Sequence, residues 1–178
     1  MRTNLPVTGR EVKLDPNTLI VSRTDLKGVI TYVNEDFIRI SGFESDELIG
    51  KAHNLVRHPD MPPEAFDDLW RRLKARRPWM GFVKNRCKNG DHYWVKARVT
   101  PIFEDDKVVG YLSVRKMATR EQIAAADALY ARLRANPQLA LPKQRNWRDR
   151  PLLQQLSPWL ILAALCPLLL MASELADA

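Results

Sequence analysis

The chain has 178 residues, of which 46% are hydrophobic and 28% charged, a composition typical of a folded globular protein rather than a disordered one. This length allows one domain with short extensions but hardly two domains. The net charge of +7 favours an anionic partner, yet no basic helix with interleaved aromatic residues supports nucleic acid. Cys87 and Cys166 lie far apart, so they predict no disulfide framework and fit a reducing compartment.

Residues 1–49 predict an arm, a hairpin and two short helices. Residues 1–17 are polar and form the predicted N-terminal arm. Two β-branched runs, at 19–24 and 29–33, are joined by a turn that contains Gly28, which predicts a hairpin. Short helical pieces follow at 34–41 and 45–49, each ended by a glycine.

Residues 62–136 predict a longer helix, three strands and a final helix. The first helix runs from Pro62-Pro63 to about Ala75, because proline favours the first turn and an apolar face follows. Strands at 80–88, 92–103 and 108–117 are separated by Asn-Gly and Asp-Asp turns. A capping box that begins at Thr119 opens a helix to about Asn136.

Alternation along these strands predicts an apolar sheet face and a basic one. The basic face is assigned five residues: Lys84, Arg86, Lys96, Arg98 and Arg115. This face is either simply solvated or a docking surface for an acidic partner. Asn85 then points to the core, where its amide needs partners from the protein or from a ligand.

The segment His53-Asn-Leu-Val-Arg-His-Pro-Asp-Met-Pro-Pro63 is the most informative part of the chain. Its three prolines stiffen the backbone and exclude one continuous helix. Arg57, His58 and Asp60 on such a rigid segment are suited to gripping a polar ligand. The alternative is a proline-capped helix junction whose surface charges are satisfied locally.

The C-terminal region predicts a membrane anchor. Residues 158–173 carry no charge, and with their flanks they predict one transmembrane segment over 152–176. The preceding linker, 137–151, is basic, so the positive-inside tendency places the folded part in the cytoplasm. The alternative is a buried apolar helix of a soluble protein.

Several motifs together resemble one family. They are Asp25-Leu-Lys-Gly-Val-Ile-Thr-Tyr-Val-Asn34, Phe37 with Ser41-Gly42, the segment that contains Arg57-His-Pro-Asp60, Pro78-Trp79, Val83-Lys-Asn-Arg86 and Lys88-Asn-Gly-Asp-His-Tyr-Trp94. The order of elements resembles a PAS domain, and residues 1 to about 135 resemble the N-terminal sensor domain of bacterial aerotaxis receptors. The resemblance implies an α+β PAS fold, a five-stranded antiparallel sheet with a helical cluster on one face, over 18–118. A connecting helix at 119–136 follows.

The resemblance also implies a function. Members of this family bind FAD non-covalently and report redox state to the chemotaxis machinery, so we expect a non-enzymatic sensor in the bacterial inner membrane. The expected partners are a chemoreceptor or another signalling protein, or a second copy of the chain. The expected FAD-binding residues are Asn34, His53, Arg57, His58, Asp60, Trp70, Trp79 and Asn85.

The chemistry of flavin agrees with part of this set. Trp70, Trp79 and Asn85 suit a flat ring with an apolar body and a polar edge, and Arg57 or the basic face suits the pyrophosphate. No cysteine lies between residues 34 and 77, so a light-driven cysteinyl adduct is not expected.

Other functions are less well supported by the residues. A metal site of His53, His58 and Asp60 suffers from a five-residue histidine spacing, which does not place both rings on one helical face. A haem site is not supported, because the predicted helix at 63–75 contains no histidine that could bind the iron. An enzyme is not supported either, because the sequence contains no nucleophile motif and no phosphate-binding loop. The remaining alternatives are a cofactor-free PAS interaction module and a truncated receptor fragment, since no signalling coiled coil follows the predicted anchor.

Overall fold

The computed structural model describes residues 3–136 and 139. Its strands are β1 (Ile20–Thr24), β2 (Ile30–Val33), β3 (Trp79–Arg86), β4 (His92–Glu104) and β5 (Lys107–Met117). Its helices are α1 (Glu35–Ser41), α2 (Ser45–Leu48), a 3-10 helix (His53–Val56), α3 (Pro63–Lys74) and α4 (Arg120–Ala135). The strands form one antiparallel sheet in the order β2-β1-β5-β4-β3. Each strand and helix predicted between residues 19 and 136 is present, with its ends within two residues of the prediction.

The hairpin and α1 are joined by one side chain. The Asn34 carboxamide oxygen accepts hydrogen bonds from the backbone N–H of Phe37, at 3.2 Å, and of Val21, at 2.9 Å. Its nitrogen donates to the carbonyl of Leu19 at 2.7 Å. Asn34 therefore caps α1 and fixes the helix against β1, as asparagine commonly does at helix N-termini.

As predicted, the proline-rich segment 53–63 does not form one continuous helix. The 3-10 helix ends at Val56, and the next residue, Arg57, is extended and forms an isolated antiparallel bridge with Asn85 of β3. The His58 N–H then donates to the carbonyl of Lys84 at 3.3 Å. The segment therefore runs along β3 before α3 begins with Pro63 in its first turn.

Arg115 does not lie on the basic outer face, so this part of the prediction is wrong. In the ladder, Arg115 lies opposite Ala97 of β4 and Ile20 of β1, both of which are buried in the core. Residues that are directly opposite in an antiparallel ladder share a face, so Arg115 points inward. The exposed residues Lys96 and Arg98 lie on the outer face as predicted.

Lys84 and Arg86 are on the outer face but are not solvated, which also corrects the prediction. The Arg86 guanidinium donates to the carbonyls of Pro6, at 2.8 Å, and of Leu5, at 3.1 Å. The Lys84 ammonium lies 2.6 Å from the Asp60 carboxylate, and its side chain is 13% exposed. The cause is coverage of this face by other parts of the chain.

Two elements provide that coverage. The N-terminal arm pairs with β4, because Val12 donates to the carbonyl of His92 at 2.7 Å and His92 donates to that of Arg10 at 3.0 Å. Helix α4 packs on β3 and β4, where Tyr130 stacks on Trp94 with ring centroids 6.2 Å apart. The arm and α4 are thus part of the packed domain.

The predicted transmembrane segment at 152–176, Cys166, and the linker at 137–151 apart from Leu139 lie outside the described residues. Within residues 3–136, no helix is both long enough and apolar enough to cross a bilayer.

Candidate functional site

A cavity of about 230 Å³ lies between α3, the 3-10 helix and the inner face of the sheet. Its walls are mainly apolar and aromatic: Ala52, Phe66, Leu69, Trp70, Leu73, Trp79, Val83, Ala97, Val99 and Tyr111. Its polar lining residues include the buried Asn85, Ser113 and Arg115, the half-buried His53 and Arg57, and the exposed Lys27 and Asn54. An apolar pocket with a few polar groups is the usual form of a small-molecule site.

The two tryptophans are held by specific contacts. The Trp79 indole N–H donates to the buried Asp68 carboxylate on α3 at 2.9 Å. Trp70 lies edge-on to Tyr111, with ring centroids 5.7 Å apart at an interplanar angle of 75°. A Cβ added to Gly28 would lie 3.3 Å from the Trp70 ring, so glycine lets the β1–β2 turn pack closely there.

Three groups of the cavity lining have no hydrogen-bond partner among the described residues: Nδ2 of Asn85, Oγ of Ser113 and Nη1 of Arg115. The Tyr93 hydroxyl, which interacts with Asn85, also lacks a partner with hydrogen-bond geometry. An unpaired buried polar group costs roughly 1–3 kcal/mol. The interior end of the cavity therefore offers several donors to a ligand with acceptors along one edge.

Arg115 and His53 contact each other at this end. Nη2 of Arg115 lies 2.5 Å from Nε2 of His53 and 3.0 Å from Oγ of Ser22. Burial first, and the nearby Arg115 charge second, lower the pKa of His53 to about 3. Burial also lowers the pKa of Arg115 to about 10, so near neutral pH Arg115 is charged and His53 is not.

Arg57 lies at the mouth of the cavity in a fixed orientation. Its Nη2 donates to the Met61 carbonyl at 3.0 Å, and its guanidinium lies 3.9 Å from the centroid of the Phe66 ring. Burial lowers the pKa of Arg57 to about 10, which is still far enough above 7 that the group is charged at neutral pH. Its remaining donors can bind a ligand at the mouth of the cavity.

Five of the eight predicted site residues line the cavity: His53, Arg57, Trp70, Trp79 and Asn85. His58 and Asp60 do not line it. His58 is 3% exposed, its Nδ1 accepts from the Asp60 N–H at 3.1 Å, and Asp60 pairs with Lys84. Asn34 caps α1 instead. Within the described part of the chain, no three histidine, cysteine or carboxylate side chains form a group that could hold a metal ion.

Sequence reasoning missed Ser22, Ser113 and Arg115. The pattern of β5 contained the signal, because Tyr111, Ser113 and Arg115 alternate with Leu112 and Val114. The set that contains a charged residue is normally the solvent-facing one, so alternation alone predicts the wrong orientation for this strand. Serine within both β1 and β5, together with the inward Asn85 of β3, indicates a polar inner face.

Comparisons with known proteins agree with this architecture. Residues 30–115 match the family model described as PAS fold. The chain is 50% identical over 129 residues to the aerotaxis receptor of Escherichia coli K12. The aligned region covers 72% of this chain and 26% of the receptor. It is 27% identical over 117 residues, 66% of this chain and 23% of the relative, to the nitrogen fixation regulatory protein of Klebsiella pneumoniae.

The chain thus spans about a quarter of the length of these curated relatives. Among solved structures it resembles the dark-state LOV domain of the blue-light photoreceptor Aureochrome1, with a TM-score of 0.55 and 15% identity over 64% of this chain and 84% of that one. It also resembles a light-oxygen-voltage domain studied with a flavin analogue, with a TM-score of 0.53 and 19% identity over 66% of this chain and 86% of that one. The chain therefore contains a PAS domain and is a relative of the bacterial aerotaxis receptors.

Proposed function

We propose that this cavity binds the isoalloxazine ring of FAD without a covalent bond and that the domain is a redox sensor of the aerotaxis type. The observation that carries the proposal is the set of unpartnered donors at the inner end of an aromatic cavity. An isoalloxazine ring has an apolar body and an edge with carbonyl and ring-nitrogen acceptors, and it matches both features.

The size of the cavity supports a ring rather than a whole dinucleotide. Sites that enclose a drug-sized ligand measure roughly 300–1,000 Å³, and this one is smaller, at about 230 Å³. The rest of FAD then extends through the mouth, where Arg57 and the exposed Lys27 are cationic. Guanidinium groups bind phosphate oxygens with two hydrogen bonds, so Arg57 suits the pyrophosphate.

The predicted residues divide into ligand contacts and supports. Trp70 and Trp79 would face the ring, and Asn85 would donate to its edge. His58 and Asp60 would act indirectly, because they fix the backbone that carries Arg57 against β3. The bound cofactor would supply the electron-transfer chemistry, and the protein would bind and orient it.

The relatives support a role in signalling. The E. coli relative is an aerotaxis receptor, and the resembling light-oxygen-voltage domain was studied with a flavin analogue. We extend this to a chain that is anchored in the inner membrane through residues 152–176, with its PAS domain in the cytoplasm. It would signal to a chemoreceptor, another signalling protein or a second copy of itself.

The cofactor is tested on the full chain. The purified protein should show an oxidised flavin spectrum, and chromatography of the released chromophore should identify FAD rather than FMN or riboflavin. A folded, colourless protein that takes up no added FAD would overturn the proposal and favour a cofactor-free interaction module. Asn85→Leu should lose flavin, whereas Lys96→Leu on the outer face is the matched control and should retain it.

The output is tested by partner capture. Pull-downs from membranes under oxidising and reducing conditions should recover different amounts of a signalling partner, and charge reversal at the exposed Lys96 and Arg98 should weaken this difference. Recovery that is equal in both redox states would leave a flavin binder without a redox-dependent output.

A further inference from the structure

Arg115 is a buried cation without an anionic partner. Its side chain lies on the inner face of β5 and is 4% exposed. Its Nη2 bonds to His53 and Ser22, and its Nη1 has no partner. No carboxylate of the described residues forms an ion pair with it. A buried charge is normally paired, since leaving it unpaired is costly.

The neighbouring histidine does not add or remove charge. Because arginine can only donate hydrogen bonds, Nε2 of His53 accepts and the ring proton is on Nδ1. The low pKa of His53 keeps the ring neutral across the physiological range. The two other cationic lining residues, Lys27 and Arg57, lie nearer the surface, so the inner end carries one positive charge from Arg115.

We propose that Arg115 stabilises the reduced flavin ring in its singly negative form and thereby raises the reduction potential of the bound cofactor. The inference rests on the proposed FAD site. Reduction of the neutral ring by two electrons and one proton leaves one net negative charge on the ring. Attraction between this charge and a cation is strong in a buried site, and it is absent for the oxidised ring.

The charge is tested by anaerobic reduction of the full chain with dithionite beside a redox dye. We expect Arg115→Gln to weaken the binding of reduced FAD, relative to oxidised FAD, by at least tenfold. This corresponds to a midpoint potential that is lower by at least about 30 mV. Arg86→Gln is the matched control, because Arg86 is equally buried but bonds to arm carbonyls outside the cavity. Its potential should equal that of the wild type.

A second measurement needs no variant. If the reduced ring stays singly negative, the midpoint potential of the wild type falls by about 30 mV for each unit by which the pH rises. This one-proton slope should persist to a lower pH than it does for free FAD, where the slope doubles as the ring takes up a second proton.

The outcomes separate this inference from the proposed function. A chain that binds no FAD contradicts the proposed function. A chain that binds FAD, with Arg115→Gln at the wild-type potential, contradicts only the role of Arg115. If Arg115→Gln fails to fold or to bind FAD, the wild-type pH slope decides, and a slope that changes at the same pH as in free FAD overturns the inference.

Discussion

The two buried arginines of the sheet show how the two faces differ. Arg86 lies on the outer face, and its guanidinium donates to three carbonyls, of Leu5, Pro6 and Lys88. Arg115 lies on the inner face, and one of its terminal nitrogens has no partner. Both are less than 10% exposed, so burial does not distinguish them. A satisfied buried arginine stabilises the fold, whereas an unsatisfied one beside a cavity indicates a binding role.

The difference between the outer and the inner face also separates Asp60 and Asn85, which were both expected to bind the ligand. Asp60 pairs with Lys84 on the side of β3 that is covered by the arm and α4. Asn85, which follows Lys84 on β3, lines the cavity, and its Nδ2 has no hydrogen-bond partner among the described residues. Adjacent residues of one strand therefore have different roles because their side chains point to opposite faces.

The largest effect on stability is expected at Arg86. Arg86→Leu removes a buried guanidinium that donates to three carbonyls and should lower the free energy of unfolding by about 3 kcal/mol, since hydrogen bonds to a charged group contribute roughly 1.5–3 kcal/mol. Urea denaturation of the flavin-free protein measures this. Arg115→Leu, the matched change on the inner face, serves as the comparison. A loss below about 1 kcal/mol for Arg86→Leu would contradict a structural role of the arm contact.

Acid should weaken the flavin-free domain through His53 and His58. The pKa values of His53 and His58 are lowered, mainly by burial, to about 3 and about 4. Because the unfolded chain binds protons first, stability is full above about pH 6.5 and falls as the pH drops toward 4. We expect each of the two histidines to contribute a loss of up to about 2 kcal/mol between pH 7 and pH 5.

Variants locate this pH dependence on each side of β3. His53→Asn removes the titrating group at the cavity, and His58→Asn removes the one behind it. Each variant should flatten the plot of unfolding free energy against pH, as measured by urea denaturation at several pH values. A wild type whose stability does not change between pH 7 and pH 5 would show that the histidines are not buried as neutral groups.

Arg115→Leu should affect binding rather than folding. Removing an unpaired buried charge should change the free energy of unfolding of the flavin-free protein by less than about 1 kcal/mol. The affinity for FAD should fall about tenfold, or about 1.4 kcal/mol, because the ring edge loses a charged donor. Flavin fluorescence titration and urea denaturation measure the two quantities, and equal losses in both would indicate a structural role.

The smallest effect is expected at the mouth of the cavity. Arg57→Ala should weaken FAD binding by about 1 kcal/mol but leave riboflavin, which lacks phosphate, nearly unaffected. Asp60→Asn should weaken both ligands equally, through the stability of the segment. Parallel titrations with the two flavins provide the test, and equal losses of both ligands in Arg57→Ala would exclude a phosphate contact.

Much of the fold could be predicted because its signals are local. Glycine turns, the Asn89-Gly90 hairpin, prolines and the capping box at Thr119 each restrict the backbone over a few residues. The same local signals identified the stiff segment of Arg57 and the inward direction of Asn85. The family motifs added the expectation of FAD.

The sequence by itself therefore determined the order of the elements, the PAS fold and five of the residues that line the cavity. Only the tertiary structure decided that Arg115 points inward, that Arg86 is buried under the arm, and that His58 and Asp60 lie behind the cavity. Alternation along a strand separates two faces but does not say which one the rest of the chain covers. That choice depends on the strand register and on the packing of the arm and α4, which are distant in sequence.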